Sequence, residues 1–270
     1  ELGGLRSEKD IKIKGKGDLK TISGSFKKSG IEYNYSIYAD NGVEIAVTGD
    51  IEIETVVQAE KTDLKITGKN LKLKAGATAK LLSQKGIIIK VSGVTTVEKL
   101  LVPVRKGGND SDAPLVVLKD DNGNIIVKDP NTGRVLSSNE IEWVSSGIYG
   151  NRIDLETGNL NNEGIISTGT NSRDNYIKIK ATNQIKNNKL ISSSGDLNID
   201  SRKLVNSENA SIKGAAVKIK ASDIQNAGEM RQNVGNKGET VDRSNKIEID
   251  IQNGKLTNTG VISGYNVDIK

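Results

Sequence analysis

A two-stroke apolar pattern returns along this chain at a near-constant interval, and self-similarity of that kind specifies a whole architecture. The unit Ile177-Lys178-Ile179-Lys180 recurs as Leu197-Asn198-Ile199-Asp200, Val217-Lys218-Ile219-Lys220, Ile247-Glu248-Ile249-Asp250 and Val267-Asp268-Ile269-Lys270. Successive starts lie 20, 20, 30 and 20 residues apart, so a single insertion accounts for the one departure. Toward the N-terminus the same phase is read at Ile11-Lys12-Ile13, Ile31-Glu32-Tyr33, Ile51-Glu52-Ile53 and Leu71-Lys72-Leu73, with starts 20 apart. One repeat cannot bury its own apolar edge, whereas repeats stacked in register cover one another and build a continuous core. Apolar residues at i and i+2, many β-branched side chains and frequent Gly and Asn argue for strand over helix. The predicted fold is all-β, a parallel β-helix solenoid of about 20 residues per coil with room for about three short strands in each.

Composition fits a narrow core. Aromatic residues are 3% of the 270 residues, as expected where ladders of Ile, Val and Leu fill the interior, and three Pro leave the strands free to pair. The chain has no Cys and no His. Disulfides, thiolate metal sites and thiol nucleophiles are therefore excluded, which suits an extracellular bacterial protein that stays unfolded during export. The usual general base and the commonest transition-metal ligand are missing too, and no cofactor is expected. No apolar run reaches the roughly 20 residues of a membrane span, so none is expected, and Glu1-Leu2-Gly3-Gly4 does not read as a signal peptide.

A formal charge of +5 and a pI of 9.1 suggest an anionic partner, but the order of the charges weakens the suggestion. The outward pairs on the five aligned strands are Lys178/Lys180, Asn198/Asp200, Lys218/Lys220, Glu248/Asp250 and Asp268/Lys270, so basic and acidic coils largely alternate. Opposite charges on neighbouring strands support each other, and the expected role is coil-to-coil complementarity, with no nucleic acid as partner.

The period divides the chain into three parts: coils over 1–99, a non-repeat excursion over 100–149, and coils again over 150–270. Pro103, Pro114 and Pro130 all fall in the excursion. There Val116-Val117-Leu118-Lys119 and Ile125-Ile126-Val127-Lys128 flank Asp120-Asp121-Asn122-Gly123-Asn124, and Asn-Gly between apolar runs predicts a hairpin, hence a small antiparallel β excursion. Asp129-Pro130-Asn131-Thr132-Gly133 predicts a second turn, and Trp143 is placed to seal the junction with the solenoid. In the later coils an apolar residue is followed two positions on by Asn, at Asn162, Asn187, Asn206, Asn226 and Asn258. Asn tolerates left-handed backbone and bonds local backbone, so these positions predict a repeated corner and a stacked amide ladder. Gly164, Gly228 and Gly260 follow, and are expected to supply positive φ at sharp corners. Two loops leave the stack, Thr168 to Asn175 and Arg231 to Asn245, and surface loops of solenoids often carry binding.

The Leu-x-Asn-x-Gly-x-x unit, at Leu160 to Ile166 and Leu256 to Ile262, together with strands such as Val217-Lys218-Ile219-Lys220-Ala221, resembles the repeats of filamentous haemagglutinins. These are large exoproteins of bacterial two-partner secretion, a group that includes adhesins, haemolysins and contact-dependent inhibition proteins. The resemblance covers 150–270 and, more loosely, 10–95, while Lys189 and Glu208 stand where the unit has Gly. It does not extend to the family's secretion domain, to any toxin domain or to the excursion. It implies a right-handed β-helix that is secreted and held at the cell surface or outer membrane. The partners it implies are an outer-membrane transporter during export and a protein or glycan receptor on a target cell. The function expected is a non-enzymatic shaft that spans distance and presents a recognition element for adhesion or contact-dependent toxin delivery. By analogy, the non-repeat region is a candidate receptor-binding element. Candidate recognition residues are Asp120, Asn122, Asn131 and Trp143 in the excursion, with Arg231, Lys237 and Arg243 in the second loop.

The motifs that could carry chemistry have plainer structural readings. Asp120-Asp121-Asn122-Gly123-Asn124 has a calcium-loop flavour, but an EF-hand needs Gly at the sixth position, where Ile125 stands, so it reads as a turn. Gly15-Lys16-Gly17-Asp18 lacks the third Gly of a dinucleotide fingerprint. The acidic pairs Glu52/Glu54 and Asp110/Asp112 carry no sign of the burial that separates catalytic pKa values. The rival reading is a polysaccharide-binding or polysaccharide-cleaving β-helix protein. Such a site places charges of one sign at one offset in consecutive coils, whereas here the sign changes and Arg152, Arg173 and Arg202 are expected in loops.

Overall fold

Three parallel ladders, each gaining one strand per turn of the chain, make up the main sheet of the computed structural model. It describes residues 1–22, 24–28, 31–74, 80–99, 101–105, 115–119, 125–129, 132–168, 172, 174–233 and 246–270, and all regular structure among them is β-strand. On the first face the stacked inward residues are Leu5, Ile37, Val57, Leu81, Ile148, Ile166, Ile191, Ile212, Met230 and Ile262. On the second they are Ile11, Val43, Leu64, Ile87, Ile153, Ile177, Leu197, Val217, Ile247 and Val267. The third runs Leu19, Ile51, Leu71, Thr95, Leu160, Ile185, Leu204, Ile224 and Leu256. The chain visits the faces in that order and repeats, so it is a parallel β-helix of ten stacked turns.

The alternation of the strands accounts for the core. A side chain two positions from an inward residue is also inward, so each second-face strand between the two end coils buries a pair, such as Ile177 with Ile179 or Ile247 with Ile249, at 0–2% exposure. Stacking places like on like, and each buried Ile or Leu contributes about 1.5–3 kcal/mol. No strand could keep this pair dry without the coil above and below.

Corners differ in what they tolerate. From the third face to the first the passage is short: Val57 is the fourth residue after Ile53, and Ile166 the fourth after Asn162. Both antiparallel excursions leave at this corner. After Ile22, Gly24–Lys28 pairs antiparallel with Ile31–Tyr35, and the Ser36 hydroxyl closes the base by donating to the Ile22 carbonyl at 2.8 Å. After Glu98, Leu101–Arg105 pairs antiparallel with Ile141–Ser145, and Val116–Lys119 with Ile125–Lys128. The second excursion has its own small core of Leu115, Val127, Leu136 and Ile141. Its second turn forms where Gly133, at φ 67, donates its N–H to the Asp129 carbonyl at 2.8 Å. The loops of the later coils open instead at the corner between the first and second faces, after Ser167 and after Gln232.

The N-terminal phase inferred from spacing is corrected by this register. Ile11 pairs with Val43, while Ile31-Glu32-Tyr33 belongs to the first hairpin and to no coil. Ile51 and Leu71 do pair, but on the third face with Leu19, not on the face of Ile11. The apolar-x-apolar signature is common to all three faces, so an interval alone does not say which face a strand joins. The hairpin happened to restore a multiple of the period.

Candidate functional site

The third face changes character at the second excursion. The inward residue closing its strand is Thr21, Ile53, Leu73 and Val97 in the first four coils, and Asn162, Asn187, Asn206, Asn226 and Asn258 in the next five. The first four of these Asn are at most 2% exposed. Each amide nitrogen donates to the Oδ1 of the following Asn, at 2.8, 2.8, 2.8 and 2.7 Å in turn. The second amide hydrogen goes to a carbonyl of the first-face strand that follows the acceptor Asn, at Leu190, Ser211, Glu229 and Val261, over 3.1–3.3 Å. Every bond points the same way along the axis. The acceptor at the leading end, Asn162 Oδ1, therefore faces Val97 and has no partner among the described residues.

The geometry corrects two expectations. The ladder Asn residues end strands with their side chains inward, and among the described residues the Asn with positive φ are instead Asn209 and Asn253, at φ 63 each. Nor do Gly164, Gly228 and Gly260 have positive φ. They are required by space: a Cβ would lie 2.7 Å from Val97 Cγ1 at Gly164, 3.0 Å from Asn206 Nδ2 at Gly228, and 2.6 Å from the Ala227 carbonyl carbon at Gly260.

Outward side chains neutralise one another across coils. On the second face Lys90, Glu156, Lys180, Asp200, Lys220 and Asp250 stand in one column with alternating sign. Glu248 is within 3.9 Å of Lys218, 3.1 Å of Lys246 and 3.5 Å of Lys270. On the third face Glu52 and Glu54 lie between Lys20 and Lys74, at 3.0–3.8 Å. Hydrogen bonds from lysine lower the carboxyl pKa of Glu44 beside Lys14, Glu229 beside Lys213 and Glu248 beside Lys246. Burial raises that of Glu54, but Lys20 and Lys74 outweigh it and the net shift is downward. In the excursion Arg134 and then Ser137 hold Glu140 down to about 2. The Glu52/Glu54 pair is thus part of an ion-pair network, and the downward shift of Glu54 favours its charged form.

Of the seven candidate recognition residues, Trp143 and Arg231 are described. Asp120, Asn122, Asn131, Lys237 and Arg243 lie outside the described residues. Trp143 sits opposite Pro103 in the antiparallel pair that opens the second excursion. Arg231 is not in a loop: it lies on the coil strand Glu229–Gln232, because its neighbour Met230 is a fully buried column residue, and it pairs with Glu229 at 3.3 Å. Arg152 and Arg202 are also in strands. Among the described residues there is no group of three His, Cys, Asp or Glu that could hold a metal ion, and no helix long and apolar enough to cross a membrane.

The class defined by this architecture is the parallel β-helix solenoid. Comparison with known protein families, curated proteins and solved structures gives no match to the chain.

Two predictions follow from the paired groups. Asn206→Ala strands the Asn187 donor and the Asn226 acceptor inside the core, so it should cost about 2–4 kcal/mol in denaturant unfolding, whereas Asn258→Ala, at the exposed end, should cost under about 1 kcal/mol. Carboxyls whose folded pKa is depressed stabilise the fold above their ordinary 4.5 and lose that contribution as pH falls through the folded value. Tyr149, raised by burial from 10.0 to about 12, stabilises below 10 and loses its contribution as pH rises toward 12. With no His or Cys between these ranges, the thermal midpoint should be flat from about pH 6 to about pH 9 and fall outside it, as a calorimetric pH series would show.

Proposed function

We propose that this chain is a shaft segment of a secreted, surface-displayed bacterial exoprotein of the filamentous haemagglutinin type. Its work is mechanical and non-enzymatic. It spans distance and presents a recognition element to a target cell, for adhesion or for contact-dependent toxin delivery. An outer-membrane transporter exports it, and a protein or glycan receptor meets it.

The observation that carries this reading is the unbroken in-register stack of ten coils, whose interior is filled side chain on side chain. At about 4.8 Å per strand such a stack is a rod of roughly 45–50 Å. A shaft also needs something to present. Both antiparallel excursions leave from one corner, after the first coil and after the fourth, so their roots are about 14 Å apart along the axis. Elements rooted on one edge of a rigid rod face one partner together.

The test is a deletion of 99–145. It places Ile148 at the fourth position after Val97, the spacing that Ile53 and Val57 already use. Small-angle scattering should show the same rod length for both proteins, and beads coated with the full chain should attach to target cells while beads coated with the deletion protein should not. Attachment unchanged by the deletion, or release of unsaturated uronate products from polysaccharide by the full chain, would overturn the proposal.

A further inference from the structure

On the second face the column Lys90, Glu156, Lys180, Asp200, Lys220 and Asp250 forms no ion pair within the chain among the described residues. Unpaired charges are ordinary on a solvated face and mark no site by themselves. What carries information is their order along the axis, read together with the column beside them. That leading column runs Lys65, Ile88, Asp154, Lys178, Asn198, Lys218, Glu248 and Asp268, one residue for each of coils three to ten. A groove of about 320 Å³ lies along coils five to eight, with residues of both columns and Leu155, Ile179 and Ile199 in its lining.

We propose that the second face is a self-association surface on which a second copy of this chain lies antiparallel, charge against opposite charge. The copy is turned end for end about a two-fold axis parallel to the strands, midway between the levels of coils six and seven. Coil seven then faces coil six, eight faces five, nine faces four and ten faces three, and each column faces its own counterpart. Lys180 meets Asp200, Glu156 meets Lys220, Lys90 meets Asp250, Asp154 meets Lys218 and Lys65 meets Asp268, each pair occurring twice by symmetry. Lys218 and Asp268 also keep partners within the chain, at Glu248 and Lys246. Every other charge on these coils faces Ile88, Asn198 or Thr67, so no like charges meet.

Neighbouring arrangements lack this property. A shift of one coil sets Lys178 and Lys180 against Lys218 and Lys220, or against their own copies. A shift of two coils sets Lys65 against Lys218 in one direction and Asp154 against Asp268 in the other. Parallel copies at one level set Lys178 against Lys180. Like charges face to face reject a wrong partner geometry, so the order of the columns selects a single register. Eight strands of four residues present about 38 Å by 13 Å, roughly 500 Å² per copy, against about 800 Å² in an interface of standard size. Exposed ion pairs are also individually weak and screened by salt, so the complex is a weak, salt-sensitive one. The surface lies away from the corner where the excursions leave, and the inference does not depend on what those excursions bind.

Sedimentation velocity of the full chain over a concentration series tests this. A monomer–dimer equilibrium with a dissociation constant on the order of 100 μM is expected in about 20 mM salt, weakened at least about tenfold in about 500 mM salt. Lys180→Glu alone and Asp200→Lys alone should each weaken association about tenfold or more, since each sets like charges face to face twice. Their equimolar mixture should associate as the original chain does, because each copy then offers the charge that the other needs. Glu156→Lys mixed with Lys220→Glu repeats the test at a second pair and covers any failure of the first variants to fold. A chain that stays monomeric in low salt would overturn the inference. So would association unmoved by salt, or a mixture no stronger than its parts, either of which assigns the contact to another surface such as the end coil. Variants that lower the thermal midpoint without changing association would overturn it too, leaving the columns to steady neighbouring coils alone.

Discussion

Each coil of this protein depends on the burial of one coil's inward side chains against the coils on either side. A strand offers two inward residues per face, too few to exclude water alone, and becomes dry only when a neighbour in the same register lies above and below. That constraint explains the repetition of Ile, Val and Leu down the columns and the scarcity of aromatic residues. It also explains why insertions sit at corners. An extra residue within a strand would turn the inward pair outward, whereas an extra hairpin between faces leaves every column intact.

The Asn column shows how a polar residue can occupy a place otherwise filled by Ile53, Leu73 and Val97. A buried amide costs more than an aliphatic side chain unless both its hydrogens and its oxygen find partners. Asn187, Asn206 and Asn226 meet that condition because each has a copy in the adjoining coils. The exception, Asn162 Oδ1, marks the boundary where the aliphatic column meets the amide column, at the same level as the large excursion. The solenoid is therefore one continuous core with two kinds of third face.

The second face of the later coils was legible in the sequence because its strands recur every 20 residues with little interruption, and the apolar-x-Asn signature picked out the five Asn positions. Alternating charge was legible for the same reason. The hairpin at 24–35 was not, since its second strand carries the same apolar-x-apolar pattern as a coil strand and falls on a multiple of the period. Nor was the role of Gly164, Gly228 and Gly260, because a steric approach from a neighbouring coil leaves no trace in the local sequence.

The most direct test of the stacking itself is the spacing of one outward column along the axis. The chain has no Cys, so single cysteines can be introduced in pairs and spin-labelled. With one label at Asp268 and the other at Lys178, Asp154 or Glu44, electron–electron distances should grow in equal steps of about 4.8 Å per coil, to about 38 Å for the pair eight coils apart. Distances that fail to grow with coil number, or that shorten between Asp154 and Glu44, would mean that the two halves fold back on each other and would contradict the continuous solenoid.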